Sequence, residues 1–139
     1  MSAVPFSPLL ARVAAIARQA GEAIMTVYAS DFDVEHKDDR SPLTAADLAA
    51  QAVIAQGLAS LDEVLPVISE EARACDWDVR RGWDRYWLVD PLDGTREFVK
   101  RNGEFTVNIA LIDHHRPVLC VVLAPAMYEV YAADRGGCA

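Results

Sequence analysis

From Glu104 to Ile112 the chain alternates without a slip, with Phe105, Val107, Ile109 and Leu111 at every second position. A period of two puts all four side chains on one face of a β-strand. Asn102-Gly103, just before the run, is a strong turn signal. Two more apolar strands are predicted, Val118 to Leu123 and Tyr128 to Ala132, with a turn at Pro125. Asp113-His114-His115-Arg116 separates the first two and reads as a solvated turn in preference to a metal site. Strands this close together are joined by tight reversals, so they pair antiparallel. A sheet that is apolar on one face must be covered on that face.

The cover comes earlier in the chain. Ser7-Pro8 opens a helix, with a capping hydroxyl followed by a proline at the first helical position. Leu9, Val13, Ile16, Ala20, Ile24 and Val27 then follow at spacings of three and four, ending near Tyr28. Residues 30–43 are polar and carry Lys37, which predicts a loop or short hairpin. Thr44 is the expected N-cap of a second helix, with Asp47 at its third position in a capping-box-like pair. Leu48, Ala52, Ala55 and Leu58 are its expected apolar face, running toward Leu61. Val64 to Ser69 is predicted as a buried strand ending in Glu70-Glu71. Residues 72–84 read as a charged loop, and Tyr86 to Val89 as a second buried strand ending at Asp90-Pro91. Arg96 to Lys100 is expected to make one or two helical turns. The expected fold class is therefore α+β, two N-terminal helices packed on a mostly antiparallel sheet in one domain over residues 1–139. Arg135 to Ala139 follows directly on a strand and a turn, which leads us to expect the N-terminal part of a longer protein.

Composition narrows the function. With 53% hydrophobic and 24% charged residues, the chain is neither disordered nor low in complexity. No apolar run approaches the roughly 18–20 residues of a membrane span, and Met1 to Leu10 has no basic n-region. A cytoplasmic protein is expected, with peripheral attachment to the cytoplasmic face of the membrane as the alternative. The net charge of −8 opposes binding to a nucleic acid polymer. Cys75, Cys120 and Cys138 are sparse and unpaired in spacing, as expected of reduced thiols.

The chemistry is concentrated in Asp90-Pro91-Leu92-Asp93-Gly94-Thr95. Two carboxylates stand three apart at the end of a buried strand, with Pro91 stiffening the link. With the Leu92 carbonyl they offer the all-oxygen donor set that Mg²⁺ requires. Gly94 lets the backbone approach a ligand. If Thr95 opens a helix, the Gly94 and Thr95 amides point at an anion. Glu70 would reach the same place if its strand neighbours that of Asp90, and Asp47 is a further acid. Glu70, Asp90 and Asp93 would suit two metal ions and phosphoryl transfer to water. Turn chemistry is the competing explanation, because Asp and Gly are common in turns for conformational reasons alone. The Asp-x-Asp-Gly-Thr of aspartyl-phosphate phosphatases is excluded, since its acids are two apart.

Taken together, these residues resemble the lithium-sensitive, Mg²⁺-dependent phosphatases of the inositol monophosphatase superfamily. Ser41-Pro42-Leu43-Thr44-Ala45-Ala46-Asp47, Ile68-Ser69-Glu70-Glu71 and Trp87-Leu88-Val89-Asp90-Pro91-Leu92-Asp93-Gly94-Thr95 match three of its motifs in order. Arg96-Glu97-Phe98 stands where inositol monophosphatases usually have Thr-Asn-Phe. With the stretch from Lys100 to Ile112, this is more similar to the bacterial 3'(2'),5'-bisphosphate nucleotidase branch.

The resemblance implies the N-terminal part of a layered αβαβα sugar-phosphatase fold. It implies Mg²⁺-dependent removal of the 3'-phosphate of adenosine 3',5'-bisphosphate, a by-product of sulfate assimilation. Glu70, Asp90, Asp93 and the Leu92 carbonyl would be metal ligands. Asp47 and Thr95 would position and activate water, and the substrate phosphate would lie against Glu70, Leu92, Asp93, Gly94 and Thr95. Arg96, Lys100 and Arg101 read more simply as a solvated face than as substrate contacts. Family members are substantially longer, and a later Trp-Asp motif completes their second metal site; Trp77-Asp78 and Trp83-Asp84 are not that motif. The alternatives are an inositol- or other sugar-phosphate phosphatase of the same superfamily, and a catalytically incomplete metal- or phosphate-binding fragment. The partner expected in all cases is a small phosphate ester. Oligomeric state is not legible.

Overall fold

The computed structural model describes residues 8–28, 42–61, 64–69, 84–94, 103–127, 129–134 and 137–138. Two helices come first, α1 (Pro8–Tyr28) and α2 (Pro42–Ala59). Six strands follow: β1 (Val67–Ser69), β2 (Arg85–Asp93), β3 (Thr106–Asp113), β4 (Arg116–Ala124), β5 (Glu129–Asp134) and β6 (Gly137–Cys138). The strands form one sheet in sequence order. Every pairing is antiparallel except β1 with β2, which is parallel. The α+β expectation holds, and no described helix is long and apolar enough to cross a membrane.

The alternation of β3 is realised as expected. Phe105, Val107, Ile109 and Leu111 are all buried, at 2% exposure or less. They join Trp87 and Val89 of β2, Leu119, Val121 and Leu123 of β4, and Ala132 of β5 in one core. The helices cover this face, α1 across β3, β4 and β5, and α2 against β2. Tyr28 closes the end of α1 on Phe105, ring centres 5.0 Å apart and planes tilted by 52°. The two helices approach closely where Gly57 meets Ile16.

The helix expectations fare differently. α1 begins at Pro8 and ends at Tyr28, as its capping signal and periodicity require. α2 begins at Pro42, not after Thr44. A proline is well tolerated in a first helical turn, where its missing N–H has no intrahelical acceptor to serve. Asp47 is therefore about a turn further in than expected, and the buried face also differs from the expected one. Ala46, Asp47, Ala50, Ile54 and Leu58 face inward, whereas Leu48 is 58% exposed and Ala52 and Ala55 face solvent.

β1 is shorter than expected, and Val64 ahead of it is exposed. β5 begins at Glu129, and Gly137–Cys138, for which no strand was expected, pairs as an edge strand with Ala133–Asp134. The turn at Pro125 is a short 3-10 helix, Pro125–Met127. Between β3 and β4 the reversal is made by His114 and His115 alone, with φ of 50° and 66°. Both carry the left-handed conformation that a two-residue hairpin demands. The His114 amide donates to the Asp84 carbonyl at 2.7 Å, and its ring Nδ1 lies 2.6 Å from Asp113 Oδ1. The expected loop at 30–43 lies outside the described residues up to 41, as do the loop at 72–84 up to 83 and the helical turn at 96–100.

Candidate functional site

β2 was expected to end at Asp90-Pro91; it continues to Asp93. The acids are therefore linked by a strand and not by a turn. In a regular strand residues three apart point to opposite faces. Here Asp90 pairs with Asn108 and Asp93 with Thr106, so β2 spends three steps where β3 spends two. That is a β-bulge, one extra residue in β2. Directly opposed residues of an antiparallel pair share a face, and Asn108 and Thr106 are two apart. The bulge thus returns Asp93 to the face of Asp90. Pro91 and Leu92, between them, are both buried. Pro91 has no N–H to lose from the ladder, which makes it compatible with a bulge.

The shared face is the one that the helices do not cover. Asp90 is half-buried there and Asp93 is exposed. Leu88 and Tyr131 on the same face are 46% and 57% exposed. A groove of about 490 Å³ runs along it, lined in part by Leu88, Asp90, Asn108, Ala110, Cys120 and Val122. At its acidic end Asn108 Nδ2 donates to Asp93 Oδ2 at 3.3 Å. Gly94, immediately after Asp93, has φ of 91°. That conformation is open to glycine at little cost and strained for other residues.

Of the expected site residues, the structure brings Asp90, Leu92, Asp93 and Gly94 together at the end of β2. Asp47 comes from α2, which packs on β2, and is 7% exposed. Glu70 and Thr95 lie outside the described residues. The strand that leads to Glu70 does neighbour that of Asp90, as the sequence reading required. Ser69 pairs with Val89 in the parallel register, and the Trp87 amide donates to the Pro66 carbonyl at 2.9 Å. No group of three or more metal-ligating side chains forms among the described residues. Asp90, Asp93 and the Leu92 carbonyl would offer a cation only hard oxygens, of the kind Mg²⁺ prefers to nitrogen or sulfur.

Asn108 was not singled out in the sequence. Its signal was present: it is a polar residue at an outward position of β3, between Val107 and Ile109. Alternation predicts a polar residue there, and so the same pattern that identified the strand concealed the contact.

Comparison with known proteins carries this site into a family. Residues 7–139 match the profile of the inositol monophosphatase family. A 3'(2'),5'-bisphosphate nucleotidase CysQ of Escherichia coli O157:H7 is 58% identical over 130 residues, covering 92% of this chain and 52% of its own length. CysQ of Haemophilus influenzae is 39% identical over 125 residues, 90% of this chain and 46% of the relative. The crystal structure of CysQ from Bacteroides thetaiotaomicron superposes with a TM-score of 0.83 at 45% identity, over 95% of this chain and 48% of that one. SuhB from Bartonella henselae superposes with a TM-score of 0.76 at 25% identity, over 94% and 50%. The chain spans about half the length of the curated relatives it matches. With the motifs in order, the sheet and helices superposing and the profile running almost end to end, the chain belongs to the inositol monophosphatase family.

Proposed function

We propose that this chain supplies the metal-holding face of a phosphatase that releases the 3'-phosphate of adenosine 3',5'-bisphosphate, giving AMP and phosphate. The observation that carries the reading is the bulge that places Asp90 and Asp93 on one open face beside Gly94. Identity to the CysQ nucleotidases, at 58%, supports this substrate over an inositol phosphate. SuhB, at 25%, is the more distant likeness.

In this reading Glu70, Asp90, Asp93 and the Leu92 carbonyl hold Mg²⁺. The cation supplies charge neutralisation for the phosphate and for the ribose oxygen that leaves. Asp47 and Thr95 act on the attacking water: the Thr95 hydroxyl orients it, and the Asp47 carboxylate draws its proton through that hydroxyl. The amides of Gly94, which directly follows β2, and of Thr95 hold the phosphate oxygens. The chain as domain 1–139 acts as the metal-binding part of a larger enzyme and has little or no turnover alone. The protein is cytoplasmic and its substrate a soluble nucleotide.

The test is phosphate release by the protein expressed from its complete reading frame, with Mg²⁺, from adenosine 3',5'-bisphosphate and from inositol 1-phosphate. Preference for the nucleotide is expected. Preference for the inositol ester would move the assignment to the other branch of the family. No release from either, with Mg²⁺ binding retained, would favour a phosphate-binding role.

A further inference from the structure

We propose that Asn108 is the positioning residue of Asp93: its side-chain amide fixes which oxygen of that carboxylate faces the cation. The inference rests on the reading of Asp90 and Asp93 as metal ligands and deepens it.

Three observations combine. Asn108 stands directly opposite Asp90 across β2 and β3. Its Nδ2 donates to Asp93 Oδ2 at 3.3 Å, reaching across the bulge. Asp93 is itself exposed, so packing alone does not hold its rotamer. A carboxylate three residues from its fellow ligand, on a bulged strand, has a mobile tip. One amide donor to Oδ2 orients the group and leaves Oδ1 for a metal. The donor must be neutral. A carboxylate at 108 would repel both acids, and an ammonium would neutralise the charge that attracts the cation. An apolar side chain of similar volume would fill the space and orient nothing. Partners that orient metal ligands typically contribute roughly 10–100-fold to affinity.

The experiment is Mn²⁺ binding, followed by electron paramagnetic resonance of the free ion, on the protein expressed from its complete reading frame. Wild type, Asn108→Leu, Asn108→Gln, Asp93→Asn and the Asp93→Asn/Asn108→Leu double variant are compared. Thermal unfolding in EDTA is measured alongside. Asn108→Leu should bind Mn²⁺ at least about 10-fold more weakly, with the metal-free melting temperature within a few degrees of wild type. Asn108→Gln, which keeps an amide donor, should recover part of that loss. In the Asp93→Asn background Asn108→Leu should have no further effect, because the residue acts through Asp93.

Unchanged Mn²⁺ affinity in Asn108→Leu, with a loss in Asp93→Asn, would overturn the positioning role and leave the metal site standing. Equal additive losses in both backgrounds would also overturn it. Unchanged affinity in Asp93→Asn would overturn the metal reading itself. If Asn108→Leu gives no cooperative unfolding, the side-chain amide resonance of Asn108 in the wild-type protein decides. A shift on adding Mg²⁺ supports the role, and an unmoved resonance overturns it.

Discussion

Asp90 and Asp93 lie an odd number of residues apart, which in an unbroken strand would set them back to back. The extra residue in β2 repairs the parity. The prediction at this scale is that the two acids act together. Asp93→Asn should weaken Mg²⁺ binding measured by calorimetry to a level that is still measurable, while the melting temperature of the metal-free protein stays close to wild type. Thr95→Ala should do the reverse, cutting turnover of the protein from its complete reading frame by roughly 10²–10⁴-fold with Mg²⁺ affinity retained. Equal turnover in the variant would remove Thr95 from the mechanism. A third residue tests the core: Phe105, 0% exposed and against Tyr28, should cost about 3–5 kcal/mol when truncated to alanine, read from denaturant unfolding. The acids themselves were legible in the sequence. The bulge was not, because nothing in Asp90-Pro91-Leu92-Asp93 distinguishes a turn from a strand with one residue too many. Pro91 fits both.

Strands and helices differ in how openly their sequences declare them. β3 was legible because its large apolar residues Val107, Ile109 and Leu111 recur at every second position. α1 was legible because its large side chains sit on one stripe and its first turn carries Ser7-Pro8. The buried face of α2 was not. Ala45, Ala46, Ala49, Ala50, Ala52 and Ala55 surround that helix with small apolar groups, and no stripe stands out. Its inner side packs on α1 and β2, and Gly57 approaches Ile16 closely. A Cβ at Gly57 would lie 2.7 Å from Ile16 Cγ1 and 3.0 Å from both Cγ2 and Cδ1. Ile16 is 6% exposed and branched at Cβ, so it has no free rotamer to retreat into. Gly57→Ala gains helix propensity of about 1 kcal/mol and meets overpacking of about 1–3 kcal/mol. A net loss is expected, seen as a melting temperature lowered by a few degrees. On an exposed helix face the same change would raise it. The β3–β4 reversal offers the opposite sign. His115, exposed and at φ 66°, pays the left-handed penalty that glycine avoids. His115→Gly should stabilise by about 0.5 kcal/mol once the extra freedom of the unfolded glycine is subtracted, and a lower melting temperature would show that the histidine ring contributes something the backbone angle does not.

At the scale of the whole molecule the sheet has two unlike faces. One is shared with the helices and is the core; the other carries Asp90, Asp93, Asn108 and the groove. Leu88 and Val89 are neighbours in sequence and lie on opposite sides, 46% and 2% exposed. Val89→Asp buries an unpaired charge among the helix-facing residues and should leave the 139-residue chain unfolded by circular dichroism. Leu88→Asp should shift its stability by less than about 1 kcal/mol. Cys120 is half-buried on the outer side, where it lines the groove.

The alternation of β3 has a consequence for how such a protein tolerates change over time. Odd-numbered positions from Phe105 to Leu111 answer to the core, and the even position Asn108 answers to the acids. Point substitutions can therefore drift in one set without disturbing the other, and a family could vary its chemistry on an unchanged scaffold. Inserting or deleting one residue between Gly103 and Asn108 has no such freedom. It would exchange the two sets, carrying polar groups into the core and the core to the surface in a single step. Length in that segment should be far more rigidly inherited than identity.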